Sequence, residues 1–349
     1  MKDSRRPKAI AMISGGLDSS IALRHIKNLG FDVKAVTFST GFGIAETHRS
    51  VGGRPRDGAV PRSESLHAAK EADVDFEFID ISDEYVDVVT SPRFGYGANM
   101  NPCIDCRILM MRKARRIMEE EGAEFVFTGE VLGQRPKSQR RDTLRLIERE
   151  SGLTGRLLRP LSGRHLPPTS AEEKGLIRRE DLFGLRGRGR KEQFALAEKL
   201  GLTDFPQPAG GCCFLTDESY SRRFRDFIEH REDRRYTKED VVLLATGRHF
   251  RLGPAEKLIV ARNDGENAIL NRLAGDKWKL QATALKGPVA LFAGEPDSEC
   301  KALASKIVTR YGKGKNMPEV VVKWVKDGED FDLTVCPSSD DSWIEQYRL

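Results

Sequence analysis

Short apolar runs alternate with segments of helical periodicity along the first 160 residues. The apolar runs are typical of buried strands, and the segments between them repeat apolar positions at helical spacing. The predicted strands cover residues 8–13, 33–38, 76–81 and 124–128, with a shorter one at 157–158. The predicted helices cover residues 18–29, 63–73, 105–121 and 138–151. This alternation predicts an α/β fold, in which a parallel sheet is flanked by helices.

Two irregular stretches interrupt this pattern. Residues 40–62 are rich in glycine, arginine and proline, which predicts a mobile loop over the ligand site. Residues 161–190 form a second irregular, basic stretch, in which the capping-box spacing of residues 170–173 predicts a short helix. A further helix is predicted from Lys191 to Leu200, where Gly201 ends it.

The pattern changes after about residue 246, where short strands and two helices predict a second, smaller α+β domain. The predicted strands cover residues 258–261, 278–282, 289–292, 319–325 and 331–335, and the helices 264–273 and 297–311. We therefore expect three parts: an α/β domain over residues 1–165, a basic helical region over 166–245, and the α+β domain over 246–349.

Composition and charge narrow the class of protein. The chain has 349 residues, of which 39% are hydrophobic and 32% charged, enough for two or three packed domains. It has no apolar run of about 18 residues, and its first residues are charged, so we expect neither a membrane span nor a signal peptide. The expected location is therefore the cytoplasm. Because that compartment is reducing, the six cysteines indicate metal binding or catalysis rather than disulfide bonds.

Positive charge is concentrated in residues 135–192, which hold 16 Lys/Arg against 8 Asp/Glu, although the whole chain carries only +5. Such a segment is either a solvated face or a surface for a phosphate-rich partner such as RNA, and charge alone favours neither. The residues expected to follow RNA phosphates are Arg135, Lys137, Arg140 and Arg141.

The sequence Ser-Gly-Gly-Leu-Asp-Ser-Ser at 14–20 lies between the first predicted strand and the first helix. Glycines let the backbone approach an anion, and the following helix directs free N–H groups and its positive dipole end at the same place. Neither the Walker spacing nor the dinucleotide-binding fingerprint is present. The structural alternative is a tight turn in which Asp18 begins the helix. The motif predicts a phosphate cradle.

Two cysteine clusters form the second chemical signal. Cys103 and Cys106 have C-x₂-C spacing at a helix start, and Cys212 and Cys213 are adjacent. Three chemistries stay open: a zinc site, an iron–sulfur cluster held by three thiolates, and persulfide transfer between Cys106 and Cys213. The alternative is that these are small buried residues, which is the interpretation for Cys300 and Cys336.

The loop at 14–20 resembles the PP-loop of the ATP pyrophosphatase superfamily, whose members cleave ATP between the α and β phosphates and adenylate a substrate. Together with Asn-Pro-x-x-x-Cys at 101–106 and Gly-x-Cys-Phe at 211–214, it resembles the MnmA-type tRNA 2-thiouridylases. That resemblance implies a persulfide on Cys213, with Cys106 as its partner. Many members have Asp where this chain has Cys103, a difference that favours a three-cysteine [4Fe-4S] cluster, although Asp105 is an alternative carboxylate. Residues 133–136 have no counterpart in that family.

The resemblance also implies substrates and partners: ATP with Mg²⁺, tRNA, and a sulfur donor protein such as a cysteine desulfurase or a relay. Asp18 is expected to help hold Mg²⁺, and the adenine to lie against the strand end at 36–38. The ATP-binding residues are then Ser14, Gly15, Gly16, Asp18, Ser19, Ser20, Phe38 and Gly129, and the catalytic residues Cys106, Cys213, Cys103 and Asp18.

The C-terminal segment resembles the NFACT-R type of RNA-binding domain at residues 250–253, 260–263 and 267–271. The expected function is ATP-dependent thiolation of a tRNA uridine. Two alternatives remain: a PP-loop amidotransferase or small-molecule ligase with structural zinc, and a non-catalytic RNA-binding protein that keeps a nucleotide site. The sequence assigns no oligomeric state.

Overall fold

A computed structural model describes residues 6–43, 63–206, 213–337 and 342–349. The described residues divide into two compact units, which we treat separately. The first comprises residues 6–40 and 63–206 with Cys213, and the second comprises 41–43, 214–337 and 342–349. The loop expected at 40–62 lies mostly outside these ranges, and the three-part division stays a prediction. In the described parts, no helix has the length and apolar character that crossing a membrane requires.

The first unit is built on a five-stranded sheet whose pairings are all parallel, in the order β3-β2-β1-β4-β5. This confirms the predicted α/β class. The strands are β1 Lys8–Met12, β2 Asp32–Ser39, β3 Asp75–Asp80, β4 Phe125–Thr128 and β5 Leu157–Leu158.

Helices cover the sheet at nearly the predicted positions. They are α1 Leu17–Asn28, α2 Glu64–Glu71, α3 Ser82–Thr90, α4 Cys103–Glu120, α5 Arg141–Ser151, α6 Ser170–Glu173 and α7 Lys191–Lys199. Helix α3 was not predicted, although it buries Tyr85, Val86 and Val89. Helix α4 begins at Cys103, two residues before its predicted start, so both cysteines belong to its first turn.

Both faces of the central strands β1 and β4 are buried, as expected for the middle of a parallel sheet between two helical layers. Alternate residues of β1 belong to different cores: Ala9 and Ala11 pack with α1, whereas Ile10 and Met12 pack with α4 and α5. The unbroken apolar run of β1 is therefore explained by burial on both sides.

The strand order places a topological switch at β1. The chain passes from β1 to β2 and β3 on one side, then crosses to β4 and β5 on the other. In open parallel sheets, ligands bind at such a point, beyond the carboxyl ends of the two strands that flank the crevice. Here those strands are β1 and β4, which are followed by residues 13–16 and 129–140.

The second unit contains a six-stranded antiparallel sheet in the order β11-β10-β8-β9-β7-β6. Its strands are β6 Arg248–Arg251, β7 Lys257–Val260, β8 Trp278–Ala282, β9 Ala290–Ala293, β10 Val320–Lys326 and β11 Glu329–Val335. Its helices are α8 Glu218–Glu229, α9 Lys238–Ala245, α10 Asp264–Arg272, α11 Ser298–Arg310 and α12 Ser342–Glu345. The predicted α+β class is confirmed, with β6 as an additional strand.

The antiparallel sheet has a core on each side. One contains Phe250, Phe292 and Trp324 with residues of α11. The other joins Leu243 of α9 to Ile259 and Leu291 of the sheet. Helices α8 and α9, which the sequence placed in a separate basic region, thus belong structurally to the second unit.

Candidate nucleotide and thiol site

The turn between β1 and α1 is shaped by close backbone approaches. Gly15 has φ +75°, and a Cβ on it would lie 2.3 Å from the carbonyl carbon of Glu64 and 2.4 Å from the nitrogen of Ser65. Only glycine fits there, because both the conformation and the space exclude a side chain. The start of α2 therefore packs directly on the predicted phosphate cradle.

The N-terminus of α1 has no side-chain cap, because its N-cap residue is Gly16. The hydroxyls of Ser19 and Ser20 donate to the Gly16 carbonyl at 2.8 and 3.2 Å, which keeps them beside the turn. Unpaired N–H groups at a helix start attract anions, and the helix dipole adds to the attraction. This part of the predicted site has the geometry of a phosphate cradle.

Gly129 brings the end of β4 against the same helix start. A Cβ at this position would lie 2.5 Å from both the carbonyl carbon of Asp18 and the nitrogen of Ser19. The structure therefore brings two predicted ATP-binding residues, Gly129 and Asp18, into contact across the switch point. Phe38, at the end of β2, is partly buried against the α4 side of the sheet.

The segment that follows β4 contacts the Asp18 carboxylate. The amide Nε2 of Gln134 donates to its Oδ2 at 3.0 Å, while its Oδ1 is buried without a hydrogen-bond partner among the described residues. Burial raises the pKa of Asp18 above its ordinary value, and Gln134, Arg190 and Arg135 offset part of that effect. An unpaired buried carboxylate oxygen beside an anion cradle suits a divalent cation, so Asp18 fits the role of a Mg²⁺ ligand.

Gln134, Arg190 and Gln193 all act on the Asp18 carboxylate, and sequence reasoning missed them. Gln134 lies in the segment between β4 and α5, and Arg190 and Gln193 lie at the start of α7. The alternating Gly–Arg run at 186–190 was the available signal, because it places cations immediately before a helix.

A buried ion cluster lies beside this site. Arg159 Nε donates to Glu130 Oε2 at 2.9 Å, and both side chains are at most 3% exposed. Arg159 also contacts Glu148, and Arg107 Nε lies 3.7 Å from Glu130 Oε1. Burial opposes ionisation of Glu130, but Arg159 and Arg107 outweigh it and hold its pKa below the ordinary value.

This cluster determines where the first cysteine pair lies. Helix α4 leads into β4 and runs antiparallel to it, so its first turn, with Cys103 and Cys106, lies at the carboxyl edge of the sheet. The contact from Arg107 to Glu130 places that turn beside the residue after Gly129. Asp105 accepts hydrogen bonds from the backbone N–H groups of residues 93 and 94, at 3.1 and 3.0 Å. These two hydrogen bonds give the Asp105 carboxylate a structural role. That role explains the residue without the alternative that Asp105 replaces the carboxylate missing at position 103.

The second cysteine cluster is described only in part. Cys213 is buried, at 7% exposure, and precedes a 3₁₀ turn at Phe214–Thr216. Cys212 and residues 207–211 lie outside the described residues. Within the parts of the chain that are described, no group of three or more His, Cys, Asp or Glu side chains could hold a metal ion. The described residues therefore give no support for the expected [4Fe-4S] cluster.

The predicted RNA-contacting residues follow β4 directly. Arg140 and Arg141 are exposed at the start of α5, and Arg141 Nη1 donates to the His165 carbonyl at 2.9 Å. Lys137 donates to the Tyr96 carbonyl. Leu132 pairs with Arg186, which brings the Gly–Arg run at 186–190 to the same edge of the sheet. Two basic segments thus converge near the phosphate cradle.

Comparison with known proteins relates each unit to a family. Residues 5–165 match the family described as thiamine biosynthesis protein (ThiI), and residues 247–348 match the NFACT protein RNA binding domain. Over 285 residues the chain is 25% identical to a tRNA-specific 2-thiouridylase MnmA of Methylobacterium nodulans, covering 75% of this chain and 69% of that protein.

Other relatives are matched over shorter lengths. The MnmA of Methylobacterium radiotolerans is 26% identical over 63% of this chain and 55% of its own length, and that of Petrotoga mobilis is 28% identical over 36% and 35%. Among solved structures, a 4-thiouridine synthetase–RNA complex with bound ATP has a TM-score of 0.34 at 24% identity, over 56% of this chain and 50% of that one.

The strand order, the switch-point crevice and the glycine-bounded cradle define a PP-loop nucleotide-binding domain. Residues 5–165 are a ThiI-like PP-loop domain, residues 247–348 are an NFACT-R RNA-binding domain, and the MnmA thiouridylases are distant relatives of the chain. The expected superfamily and C-terminal domain type are thus confirmed, and the matching PP-loop family is ThiI.

Proposed function

We propose that this protein is a cytoplasmic enzyme that thiolates a uridine of tRNA at the expense of ATP. The proposal rests mainly on the close contact between Gly129 and the backbone of Asp18, which lies beside the first turn of α4. The residues that we propose as phosphate cradle and cation ligand lie there with two cysteines, at one edge of a parallel sheet. An RNA-binding domain on the same chain supports a nucleic acid as the acceptor.

ATP occupies the cradle in this proposal, with its phosphates at the start of α1 and its adenine at the end of β2 near Phe38. The hydroxyls of Ser14, Ser19 and Ser20 border the phosphates. Asp18 would hold Mg²⁺, which would supply positive charge against the departing pyrophosphate. Gln134 fixes Asp18 by its Oδ2 and leaves Oδ1 available.

The first step is adenylation of the base. The carbonyl oxygen of the uridine attacks the α-phosphorus, the bond between the α-phosphorus and the bridging oxygen breaks, and pyrophosphate leaves with the electron pair. Positioned N–H groups at the helix start stabilise the leaving anion, which is the main assistance available to such a transfer. The target base must leave its stack to reach the crevice.

The second step is sulfur transfer from Cys213. A sulfur donor protein first loads a persulfide on this thiolate, and the terminal sulfur then attacks the activated carbon and displaces AMP. Cys106 thiolate attacks the Cys213 sulfur, which forms a disulfide and leaves the thiocarbonyl on the base. A cellular dithiol reductant regenerates both thiols. Cys103, on the same helical turn as Cys106, is the second candidate for the attacking thiol.

The basic residues position the RNA without reading its sequence. Arg135, Lys137, Arg140 and Arg141 follow β4, and the Gly–Arg run lies alongside. Contacts of this kind go to phosphates and set the register of the substrate. The salt dependence of tRNA binding should therefore be steep.

The test is a reaction of the full chain with ATP, Mg²⁺, tRNA and sulfide as a surrogate sulfur donor. The proposal expects AMP and pyrophosphate only when tRNA is present, and 2- or 4-thiouridine in the product RNA. Formation of AMP with an amine or small acid instead of tRNA would favour the amidotransferase or ligase alternative. Absence of AMP with every acceptor would favour the non-catalytic one.

A further inference from the structure

The second unit contains a cavity of about 220 Å³ between helices α8–α9 and strands β6, β7 and β9. One wall is apolar and includes Leu243, Leu244, Ile259 and Leu291. Helices α8 and α9 precede the matched RNA-binding segment, which begins at residue 247. Six of the fourteen residues that line the cavity therefore lie outside the family domain.

The other wall is cationic. Arg231, Arg251, Lys257 and Lys277 line the cavity, and Asp240 is the acidic residue among its lining side chains. Protein surfaces that meet nucleic acid phosphates carry cationic side chains of this kind. Arg231 and Lys277 pair with the exposed Asp233 and Asp276, each at 3.2 Å, and such exposed pairs are weak, so both cations are open to an anionic ligand.

The two more buried cations of this wall, Arg251 and Lys257, share one carboxylate. Asp226 accepts from Arg251 Nε at 2.9 Å and Nη2 at 2.7 Å, and from Lys257 Nζ at 2.9 Å. One carboxylate thus faces two cations. Burial lowers the pKa of Lys257 to about 8 despite Asp226, as expected for an ammonium group that lacks a full counter-charge.

An aromatic stack is present at the same place. The Arg231 guanidinium lies 5.2 Å from the centre of the Phe227 ring, and Lys257 Nζ lies 5.7 Å from it. Proteins that bind single-stranded RNA stack bases on aromatic rings and on guanidinium planes. The exposed side of the Arg231 guanidinium can extend the stack by one base.

The size of the cavity restricts the ligand. Its volume is about that of seven waters in the liquid and lies below the roughly 300–1,000 Å³ of ordinary small-molecule sites. A single nucleobase fits this space, whereas a whole cofactor does not. The RNA-binding domain of the chain favours one base of an RNA strand as the occupant.

We propose that the cavity receives one nucleotide of a bound RNA strand, with the base against Arg231 and the apolar wall and the phosphate near Lys257 and Lys277. This inference rests on the proposed RNA substrate and adds a binding point far along the chain from the residues at 135–141. The experiment below distinguishes a failure of this binding point from a failure of the proposed thiolation.

The experiment measures tRNA affinity of the full chain by fluorescence anisotropy with 3′-labelled tRNA. K277E reverses a charge at the cavity, and K286E is its matched control. Each lysine lies beside an aspartate, at 3.2 Å for Lys277 and 3.4 Å for Lys286, but Lys286 is not part of the cavity. A293F fills the cavity from β9 without a change of charge. Thermal melting verifies that every variant is folded.

The inference expects K277E and A293F to bind tRNA on the order of tenfold more weakly, with K286E within about twofold of the wild type. Equal affinity in all four proteins would overturn the inference and leave the proposed function intact. Thermal protection by uridine monophosphate that A293F abolishes, with unchanged tRNA affinity, would also overturn it in favour of a free nucleotide. Failure of thiolation in the wild type, with the tRNA affinities as expected, would instead contradict the proposed function alone.

Discussion

Gln134 Nε2 lies 3.0 Å from Asp18 Oδ2, across 116 positions of sequence. This hydrogen bond joins the basic segment after β4 to the phosphate cradle after β1. It also leaves the other oxygen of Asp18, Oδ1, buried and unpartnered among the described residues. This hydrogen bond therefore links a segment expected to contact RNA to the residue expected to hold Mg²⁺. A shift of that segment on RNA binding would also move the Asp18 carboxylate.

Q134A should weaken ATP–Mg²⁺ binding because Asp18 loses the contact that fixes its orientation. We expect the Kd to rise about three- to tenfold, which corresponds to the usual 0.5–1.5 kcal/mol of one hydrogen bond. Isothermal titration calorimetry measures it, with the exposed Gln281→Ala as control. An unchanged Kd in Q134A would show that this contact does not organise the site.

D18N should be more thermally stable than the wild type and nearly inactive. The folded-state pKa of Asp18 is raised by burial, so its charged form is less favourable in the folded than in the unfolded protein. That penalty is present at neutral pH and disappears as the pH falls through the folded-state pKa. We expect a higher melting temperature without nucleotide, and a rate loss on the order of 100-fold in tRNA-dependent AMP formation.

The pH dependence provides the check for this variant. The stability advantage of D18N over the wild type should shrink as the pH is lowered below neutrality toward the acidic range, where the wild-type carboxyl also becomes neutral. Calorimetric melting of both proteins at a series of pH values measures it. A D18N protein that is less stable than the wild type at pH 7 would show that Asp18 stabilises the fold.

G129A should lose ATP binding, because its methyl group would lie 2.5 Å from the backbone of Asp18 and Ser19. The loop after β4 must then move away from the cradle. We expect destabilisation of about 1–3 kcal/mol from the overpacking, together with loss of nucleotide affinity. Gly184→Ala is the matched control, since a Cβ there meets nothing closer than 3.5 Å and the residue lies outside the Gly–Arg run. Nucleotide binding by G129A at wild-type affinity would contradict the close approach.

E130Q should strongly destabilise the first unit, because it leaves the buried Arg159 without its counter-charge. Removing one partner of a buried ion pair costs about 3–5 kcal/mol, and Glu148 reduces that cost here. The depressed pKa of Glu130 means that its contribution is present above its ordinary pKa and is lost as the pH falls through the lower folded-state value.

Urea unfolding at pH 7 and at pH 4 tests this prediction. The free energy of unfolding lost in E130Q relative to the wild type should be larger at pH 7 than at pH 4. The control Glu345→Gln removes one partner of an exposed ion pair with Arg348, and it should change the free energy of unfolding little at either pH. A stability of E130Q equal to that of the wild type at pH 7 would contradict the assigned role of the cluster.

The fold could be predicted where burial leaves a periodic pattern. Strand β1 and its helix α1 were expected, because an apolar run followed by a glycine turn and an amphipathic segment has few other solutions. Helix α3 was missed because its apolar residues Tyr85, Val86 and Val89 form a short group directly after a strand. Strand β6 was missed because it has four residues, two of them arginine, and its burial comes from neighbouring strands.

The site was predictable as far as its local motifs extend. Gly15 and Asp18 lie in one continuous sequence, and Gly129 follows a recognisable strand. The partners of these residues are not local: Gln134 lies 116 positions from Asp18, and Glu130 lies 29 positions from Arg159. Their pairing depends on the strand order, which hydrophobic periodicity does not specify.

The most direct test of the proposed thiolation is mass spectrometry of the nucleosides of tRNA from cells that lack this chain. We expect one thiolated uridine to disappear and the wild-type gene to restore it. C213S should not restore it, although the purified variant should still bind ATP. Unchanged amounts of every thiolated nucleoside in the deletion strain would show that the protein does not thiolate tRNA.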